Sequence, residues 1–501
     1  MYVGDKMGKI VFIINKTSED KYKECAEAIN NLKMPASYSI AFATYTAGEV
    51  YTSNVYLNIC NKENPDISII MDDTVIVVNE NLLLETVEIF QSDSSIGVIG
   101  VKQAEPLLDR FSNAYADYVQ VESVKSTLVA VKGYIPMWKD ISNRCIGEIL
   151  SVAAAIQGKK IVIPRDSNYW CFASMTEVCP TDIELETIKN KYRFRNILLS
   201  KTHCILTIGI PTYNRSKYFR KCISNLYKHV GDMPWIEVFV SNNDSTDDTE
   251  EIASQYLTHK NFRYYKQPVN IVGKNFDYLY ENAKGDFVVA CGDDDYYSPD
   301  AILNLLETIC LYPEATLIEL DWSGPIEVIP GKGMDNFLVR CMDMYTCISS
   351  IVMNHKRYME VDVKDRFSHT LLNQCYVELE MIRKDPRFVV LRGSNFLPGS
   401  GEETTGRKLK KEDKLSFCDV FIRQYYPILD YFLDKGLSRK AYEKEKILNI
   451  KKVLFWLNRI KLFGDDIKWL IDDDIDELME EFYGYEPYYN DLKQQLNEIL
   501  K

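Results

Sequence analysis

Cys204-Ile-Leu-Thr-Ile-Gly-Ile-Pro-Thr-Tyr-Asn-Arg215 opens as an apolar, β-branched run and closes on a proline followed by hydrogen-bonding side chains. A continuous apolar run of this length, bounded by polar residues, reads as a strand buried on both faces. A helix follows to His229. The next strand, Ile236-Glu-Val-Phe-Val240, runs into Ser241-Asn-Asn-Asp-Ser-Thr-Asp-Asp-Thr249. The stretch from Thr249 to Leu257 then reads as a helix, with Asp and Thr at its start as a cap. Asp286-Phe-Val-Val-Ala-Cys291 is a third strand, ending in Gly292-Asp-Asp-Asp295. Strands alternating with helices predict an α/β sheet whose functional residues lie at the carboxyl ends of its strands.

The chain before this stretch repeats the plan. Lys9-Ile-Val-Phe-Ile-Ile14 reads as a buried strand, Tyr22 to Leu32 as a helix and Tyr38 to Phe42 as a second strand. Ile67-Ser-Ile-Ile-Met-Asp-Asp73 is a strand ending in adjacent aspartates, and Val98–Val101 and Lys160–Ile163 continue the sheet. Two copies of one α/β fold are therefore expected, separated by the charged stretch Glu184–Lys201. Beyond about Lys408 strand signals vanish, and the spacing of Ile447, Ile450, Leu454 and Leu457 is helical. The expected organisation is a first domain at 1–183, a linker at 184–202, a second α/β domain at 203–407 and a helical domain at 408–501.

Composition narrows the function classes. The 501 residues carry 59 basic and 73 acidic side chains, a formal net charge of −14, which argues against nucleic acid as a partner. Apolar residues at 46% are enough to fill more than one core. No apolar run approaches the ~20 residues of a membrane span, and Lys9–Ile14 is too short for a secretory signal. The thirteen cysteines are scattered, with no CxxC pair, as expected of reduced thiols in a cytoplasmic protein.

Three clusters follow successive strands of the second section: Pro211–Arg215, Ser241–Asp248 and Asp293–Asp295. A parallel sheet brings such ends to one edge, where a nucleotide would lie. Thr, Tyr and Asn after a strand can hold a base and ribose, and a run of Asn, Asp and Ser can pair with base edges or ribose hydroxyls. Three adjacent aspartates call for a hard cation, Mg²⁺ or Mn²⁺, coordinated together with a diphosphate. Taken alone, an Asx-rich run reads equally well as a turn, and an Asp triplet as a helix cap.

In order, Ile210-Pro-Thr-Tyr-Asn-Arg215, Ser241–Thr249, Asn270-Ile-Val-Gly-Lys-Asn275 and Gly292-Asp-Asp-Asp-Tyr-Tyr-Ser-Pro-Asp300 resemble the family 2 glycosyltransferases of GT-A fold. The resemblance covers about residues 203 to 310. It implies two Rossmann-like, mostly parallel domains and inverting transfer from a nucleotide sugar, a UDP-sugar, with Mn²⁺ or Mg²⁺. The acceptor would be a glycan, a glycoprotein or a lipid-linked precursor. Donor contacts would come from Pro211, Thr212, Tyr213, Asn214, Arg215, Asp244 and Asn275, with Asn242 or Asn243 at the base. Asp293 would face ribose and metal, Asp294 the donor sugar, and Asp295 the metal. Many members carry an acid where Asn242 and Asn243 stand, which leaves the base open.

The first section resembles another glycosyltransferase-like group through Lys9–Asn15, Tyr22-Lys-Glu-Cys25 and Ile70-Met-Asp-Asp-Thr-Val-Ile-Val77. Where that group carries a DG pair this chain has Glu122-Ser-Val-Lys-Ser126, and where a His closes the site it has Trp170-Cys-Phe-Ala-Ser174. The departures fall at the chemistry, so a non-catalytic copy is expected.

Inverting transfer needs a base for the acceptor hydroxyl. Asp365 and His369 are the candidates, on a helix expected to start at Lys364 beneath a strand at Cys347–Met353, with Glu378 and Glu380 next in line. Gly399–Lys414 reads as a loop, with Arg407 as a donor contact. Lys446–Phe463, apolar and basic, fits either a packed bundle or peripheral contact with an anionic membrane at the inner face. Rival readings are a partner-stabilising or glycan-binding pseudo-enzyme, and a nucleotidyltransferase, whose Gly-rich basic loop is missing after Ile208. Sugar, acceptor and oligomeric state are not legible here.

Overall fold

The computed structural model describes residues 7–101, 118–165, 167–173, 179–341, 346–393, 396–397, 419–462 and 475–500. They divide into two compact units. One comprises Met1–His203, Ser224–Trp235 and Tyr297–Leu311; the other comprises Cys204–Ile223, Ile236–Tyr296 and Tyr312–Lys501.

The first unit holds β1 (Gly8–Asn15), β2 (Tyr38–Tyr45), β3 (Ile67–Asp72), β4 (Val75–Val77), β5 (Ile96–Gly100), β6 (Tyr118–Val121), β7 (Leu128–Lys132), β8 (Lys160–Pro164) and β9 (Cys171–Ala173). Seven of these form a sheet in the order β2-β1-β3-β7-β5-β8-β6, and β4 pairs with β9. The second sheet draws on β10 (Leu206–Thr212), β11 (Ile236–Asn242), β12 (Phe262–Lys266), β13 (Phe287–Ala290), β14 (Tyr296–Tyr297), β15 (Leu317–Asp321), β16 (Glu327–Lys332), β17 (Ile351–Asn354), β18 (Arg387–Arg392) and β19 (Phe396–Leu397). Its order is β12-β11-β10-β13-β17-β15-β18-β16, with β14 pairing β19.

Once the extra edge strand β12 is set aside, the two orders match strand for strand. So do the senses of pairing: parallel, parallel, antiparallel, antiparallel, parallel, antiparallel in both sheets. In each copy the strand at the fourth sheet position, β7 or β17, and the last, β6 or β16, run against their neighbours, so the sheets are mixed while most strands share one direction. The two-copy α/β architecture expected from the sequence is the one observed.

Each sheet is buried at its centre because its central strands are mostly apolar. Ile10, Phe12, Ile14, Ile69 and Met71 join Leu83, Phe90 and Trp170 in the core of the first unit. In the second, Val288, Leu317, Phe388 and Val390 share one core with Tyr426, Leu429, Phe432, Leu478 and Leu496 from the carboxyl-terminal helices. Those helices span Tyr426–Leu433, Arg439–Leu462, Ile475–Tyr483 and Tyr489–Leu500. Ile450 and Leu454 turn inward, as their spacing requires, so this stretch of Lys446–Phe463 spends apolar side chains on the core. Each such burial contributes ~1.5–3 kcal/mol relative to exposure. Among the described residues no helix is long and apolar enough to cross a membrane.

Local differences from expectation have physical causes. The charged stretch after Thr181 is an 18-residue helix, Asp182–Leu199, closed at its start by a reciprocal Thr181–Glu184 capping box. The helix at Thr249 ends at Ser254; Asp248 holds its N-cap position without a side-chain cap bond, and Asp247 accepts the Thr249 N–H at 3.2 Å instead. No helix starts at Lys364. Residues 364–371 are turns, the next helix is Asn373–Lys384, and the strand before them begins only at Ile351. The loop at Gly399–Lys414, with Arg407, lies outside the described residues.

Candidate active site

Parallel neighbours β10, β11 and β13 deliver the candidate residues to one edge. Pro211 stands opposite Ser241 and Thr212 opposite Asn242, while Gly209 aligns with Ala290 just before Gly292–Asp295. Antiparallel β17 starts at that same edge and presents Ser349 and Ser350, which precede it.

The three aspartates sit in three environments. Thr212 Oγ1 donates to Asp293 Oδ2 at 2.8 Å. Arg215 Nε lies 3.0 Å from Asp293 Oδ1, and Arg215 Nη2 lies 2.5 Å from Asp294 Oδ2. Ser349 Oγ donates to Asp295 Oδ2 at 2.6 Å while accepting the Gly292 N–H at 2.8 Å. A Cβ on Gly292 would collide with the Asp295 carboxylate, so glycine is what lets the loop fold back there. Asp293 is 6% exposed, and burial pushes its carboxyl up to about 7; Arg215 and Thr212 oppose the shift, and Asp294 and Asp295 add to it. One guanidinium shared between two acids leaves the cluster short of positive charge.

A divalent cation fits that shortfall. Among the described residues no group of three or more His, Cys, Asp or Glu side chains is arranged to hold a metal. Asp293 and Asp295, completed by substrate phosphate oxygens, match the pattern in which Mg²⁺ binds through one or two carboxylates.

The asparagines brace the rim. Buried Asn242 accepts the Ser245 N–H and donates to the Tyr264 hydroxyl, both at 2.8 Å. Asn243 donates to Asn270 Oδ1 and accepts the Ile271 N–H, again both at 2.8 Å. Asn275 donates to the Ser241 carbonyl at 3.0 Å and accepts from its hydroxyl at 2.6 Å. Asn214, at φ +51°, accepts the Thr246 N–H at 2.8 Å, which joins the first two clusters. Tyr213 is left exposed beside them, Pro211 is half-buried in β10, and Asp244 takes φ +64° at the turn. Sequence reasoning missed Ser245 and Ser349. Ser245 sits in a run where any polar residue reads as a turn, and Ser349 joins the site only through the antiparallel return of β17.

Val272 is strained. It holds φ +51°, a region costly for a β-branched residue, and its side chain is 76% exposed. Val272→Gly should therefore leave stability unchanged or raise it by about 0.5–1 kcal/mol, since relief of strain exceeds glycine's entropy cost. A loss above about 1 kcal/mol in urea unfolding would contradict this.

Of the base candidates, both are exposed on the turns at 364–371. Asp365 lies beside Asp277, whose carboxyl is pushed up to about 6 by burial, by Glu281 and by Asp365 itself. Asp277 is on the helix Lys274–Glu281, whose Asn275 bonds Ser241 at the sheet edge. Beyond the turns, Gln374 Nε2 donates to the Thr346 carbonyl at 3.3 Å. Glu378 is 0% exposed and its burial pushes its carboxyl well up; Glu380 is bound by Arg383. Neither is exposed to an acceptor.

Residues 207–318 match the model described as Glycosyl transferase family 2, and residues 11–109 match one described as Glycosyltransferase like family. Abequosyltransferase RfbV of Salmonella typhimurium is 32% identical over 294 residues, covering 52% of this chain and 85% of that protein. The chain belongs to glycosyltransferase family 2. An uncharacterized glycosyltransferase, MG025 of Mycoplasma genitalium, is 29% identical over 100 residues, 19% of this chain and 34% of its own length. The chain thus spans about a third of that relative. The crystal structure of S. aureus TarS 1–349 in complex with UDP-GlcNAc has a TM-score of 0.40 at 18% identity, covering 57% of this chain and 83% of that one.

In the first copy of this family 2 chain the corresponding acids are spent internally. Asp73 is buried and accepts the Thr17 N–H at 2.7 Å, the Thr17 hydroxyl at 2.6 Å and the Ser18 N–H at 3.3 Å. Asp72 accepts from Asn15 Nδ2 at 2.7 Å and from Asn143, and burial pushes its carboxyl up. Replacing both by Asn should cost about 1–2 kcal/mol of stability, because an amide cannot accept at both atoms. Sugar transfer should stay within a few-fold of wild type; loss of one sugar from the product would show both copies to be active.

Proposed function

We propose that this protein is a metal-dependent, inverting glycosyltransferase that moves a sugar from a nucleotide-sugar donor, a UDP-sugar, to a glycan, glycoprotein or lipid-linked acceptor in surface-glycan synthesis. In this reading residues 203–407 carry transfer, 1–183 serve as a non-catalytic copy joined through 184–202, and 408–501 complete the core beneath the second sheet. It acts on the cytoplasmic side, where nucleotide sugars would meet it.

The observation that carries the reading is the set of three acids at one strand end, divided between Arg215, Thr212 and Ser349. Asp293 and Asp295 would hold Mn²⁺ or Mg²⁺, which supplies Lewis-acid neutralisation of the leaving diphosphate. Thr212 and Arg215 fix the Asp293 carboxylate, and Ser349 fixes that of Asp295, so neither must reorganise during reaction. Tyr213 and the braced Asn242–Asp244 rim would receive base and ribose. The acceptor oxygen attacks the anomeric carbon as the bond to the diphosphate oxygen breaks, and the acceptor proton passes to a base. His369 or Asp365 would be that base.

A panel of nucleotide sugars tested by thermal shift, with Mn²⁺ and with EDTA, tests the reading. A cognate donor should raise Tm only with Mn²⁺, because ligand binding stabilises by mass action. If no nucleotide sugar shifts Tm under either condition, the reading fails. The pseudo-enzyme alternative retains support for the first unit, where Asp72 and Asp73 are already spent.

A further inference from the structure

The first unit contains a cavity of about 1070 Å³ that the transfer reading leaves unused. One wall is a face of the helix Asp182–Leu199, where Lys189, Tyr192, Arg193 and Asn196 recur at helical spacing beside the apolar Leu185, Ile188 and Ile197. The opposite wall comprises Ser123, Lys125 and Glu148. Three cations thus surround one carboxylate, and Glu148 already accepts the Ser126 hydroxyl at 3.0 Å. Ser123 is 4% exposed, and its Oγ faces the Tyr192 hydroxyl without a well-directed hydrogen bond. The Tyr192 ring is held by the Arg195 guanidinium, 4.7 Å from its centroid.

We propose that this cavity binds an anionic oligosaccharide, a sugar chain bearing phosphate or carboxylate. The positive balance calls for an anion. The aromatic ring, the Asn196 amide and the Ser123 hydroxyl offer a sugar ring its apolar face and its hydroxyl partners. The volume lies at the top of the ~300–1,000 Å³ range of small-molecule sites, room for more than one ring. The saccharide half of this assignment rests on the transfer reading; the anionic half rests on the cavity alone.

Calorimetric titration of the full chain tests it. The probes are hyaluronan tetrasaccharide, phosphorylated maltotetraose, neutral maltotetraose and inorganic phosphate, and the tighter of the two anionic sugars identifies the acid. At low salt one anionic sugar should bind at least about tenfold more tightly than neutral maltotetraose or inorganic phosphate. Lys189→Glu with Arg193→Glu should weaken it about tenfold or more, and Lys189→Gln with Arg193→Gln should weaken it less. Asp295→Ala should leave it unchanged, and the charge-reversed protein should still bind nucleotide sugar with Mn²⁺. Equal binding of the neutral sugar or of phosphate, no anionic binding, or full binding by the charge-reversed protein overturns the proposal. Anionic binding lost only in Asp295→Ala would assign it to the second unit, overturning this site while leaving the transfer reading intact.

Discussion

Asp295→Ala is expected to remove metal-dependent turnover, lowering kcat by about 10³-fold or more, while the protein keeps its fold. The magnitude follows from losing one of two carboxylates for the cation that stabilises the departing diphosphate. The fold should survive because the substitution loses one side-chain bond, to Ser349, while removing one of three adjacent acids eases their repulsion. Ser349→Ala gives the graded counterpart: it leaves the carboxylate in place without its positioning bond and should cost less than Asp295→Ala. The check is release of nucleoside diphosphate with and without Mn²⁺. Full Mn²⁺-dependent hydrolysis by Asp295→Ala would show that the metal lies elsewhere.

One of His369→Asn and Asp365→Asn is expected to lower kcat by about 10²–10⁴-fold with donor affinity nearly unchanged, whereas the other should remain within a few-fold. Asparagine keeps approximate volume and hydrogen bonding while removing the base. A second readout separates the two. With an imidazole base, kcat/KM should fall as pH drops below neutrality, and the limb should vanish in His369→Asn; a carboxylate base would leave the profile flat there. Asp365→Asn should also relieve the charge pressing on Asp277, stabilising the protein slightly at neutral pH and not at pH 4. The sign follows from a carboxyl raised to about 6, whose stability contribution is present below the unfolded value and lost as pH rises through 6. If both variants keep near-normal kcat, the base is neither residue.

The strands were legible because a parallel strand buried on both faces must be mostly apolar, and Leu206–Thr212 and Ile236–Asn242 are up to their polar ends, with the buried Thr207–Glu237 bond the exception. The acid triplet was legible because three adjacent carboxylates at a strand end need a reason. The bracing roles of Asn242, Asn243 and Asn275 were not, since an amide that contacts ligand and one that ties two loops look alike in sequence. Ser349 was hidden for another reason: it reaches Asp295 across 54 residues through an antiparallel return. The turns at 364–371 were misread as a helix because Leu371 and Leu372 carry a helical apolar pattern that the chain uses one turn later, from Asn373. The expected Asp at the start of this helix is present as Asp248, but the oxygen that accepts the Thr249 N–H comes from Asp247, one residue earlier.

The most direct test of the central claim, that one copy of a duplicated fold carries transfer, is the stoichiometry of nucleoside diphosphate binding with Mn²⁺, measured calorimetrically on three proteins. Wild type should bind one UDP per chain. Asp72→Asn with Asp73→Asn should bind the same single equivalent with similar affinity, and Asp295→Ala should bind none at the same concentrations. Two equivalents in wild type, or a site that survives Asp295→Ala and disappears with Asp72 and Asp73, would contradict the account.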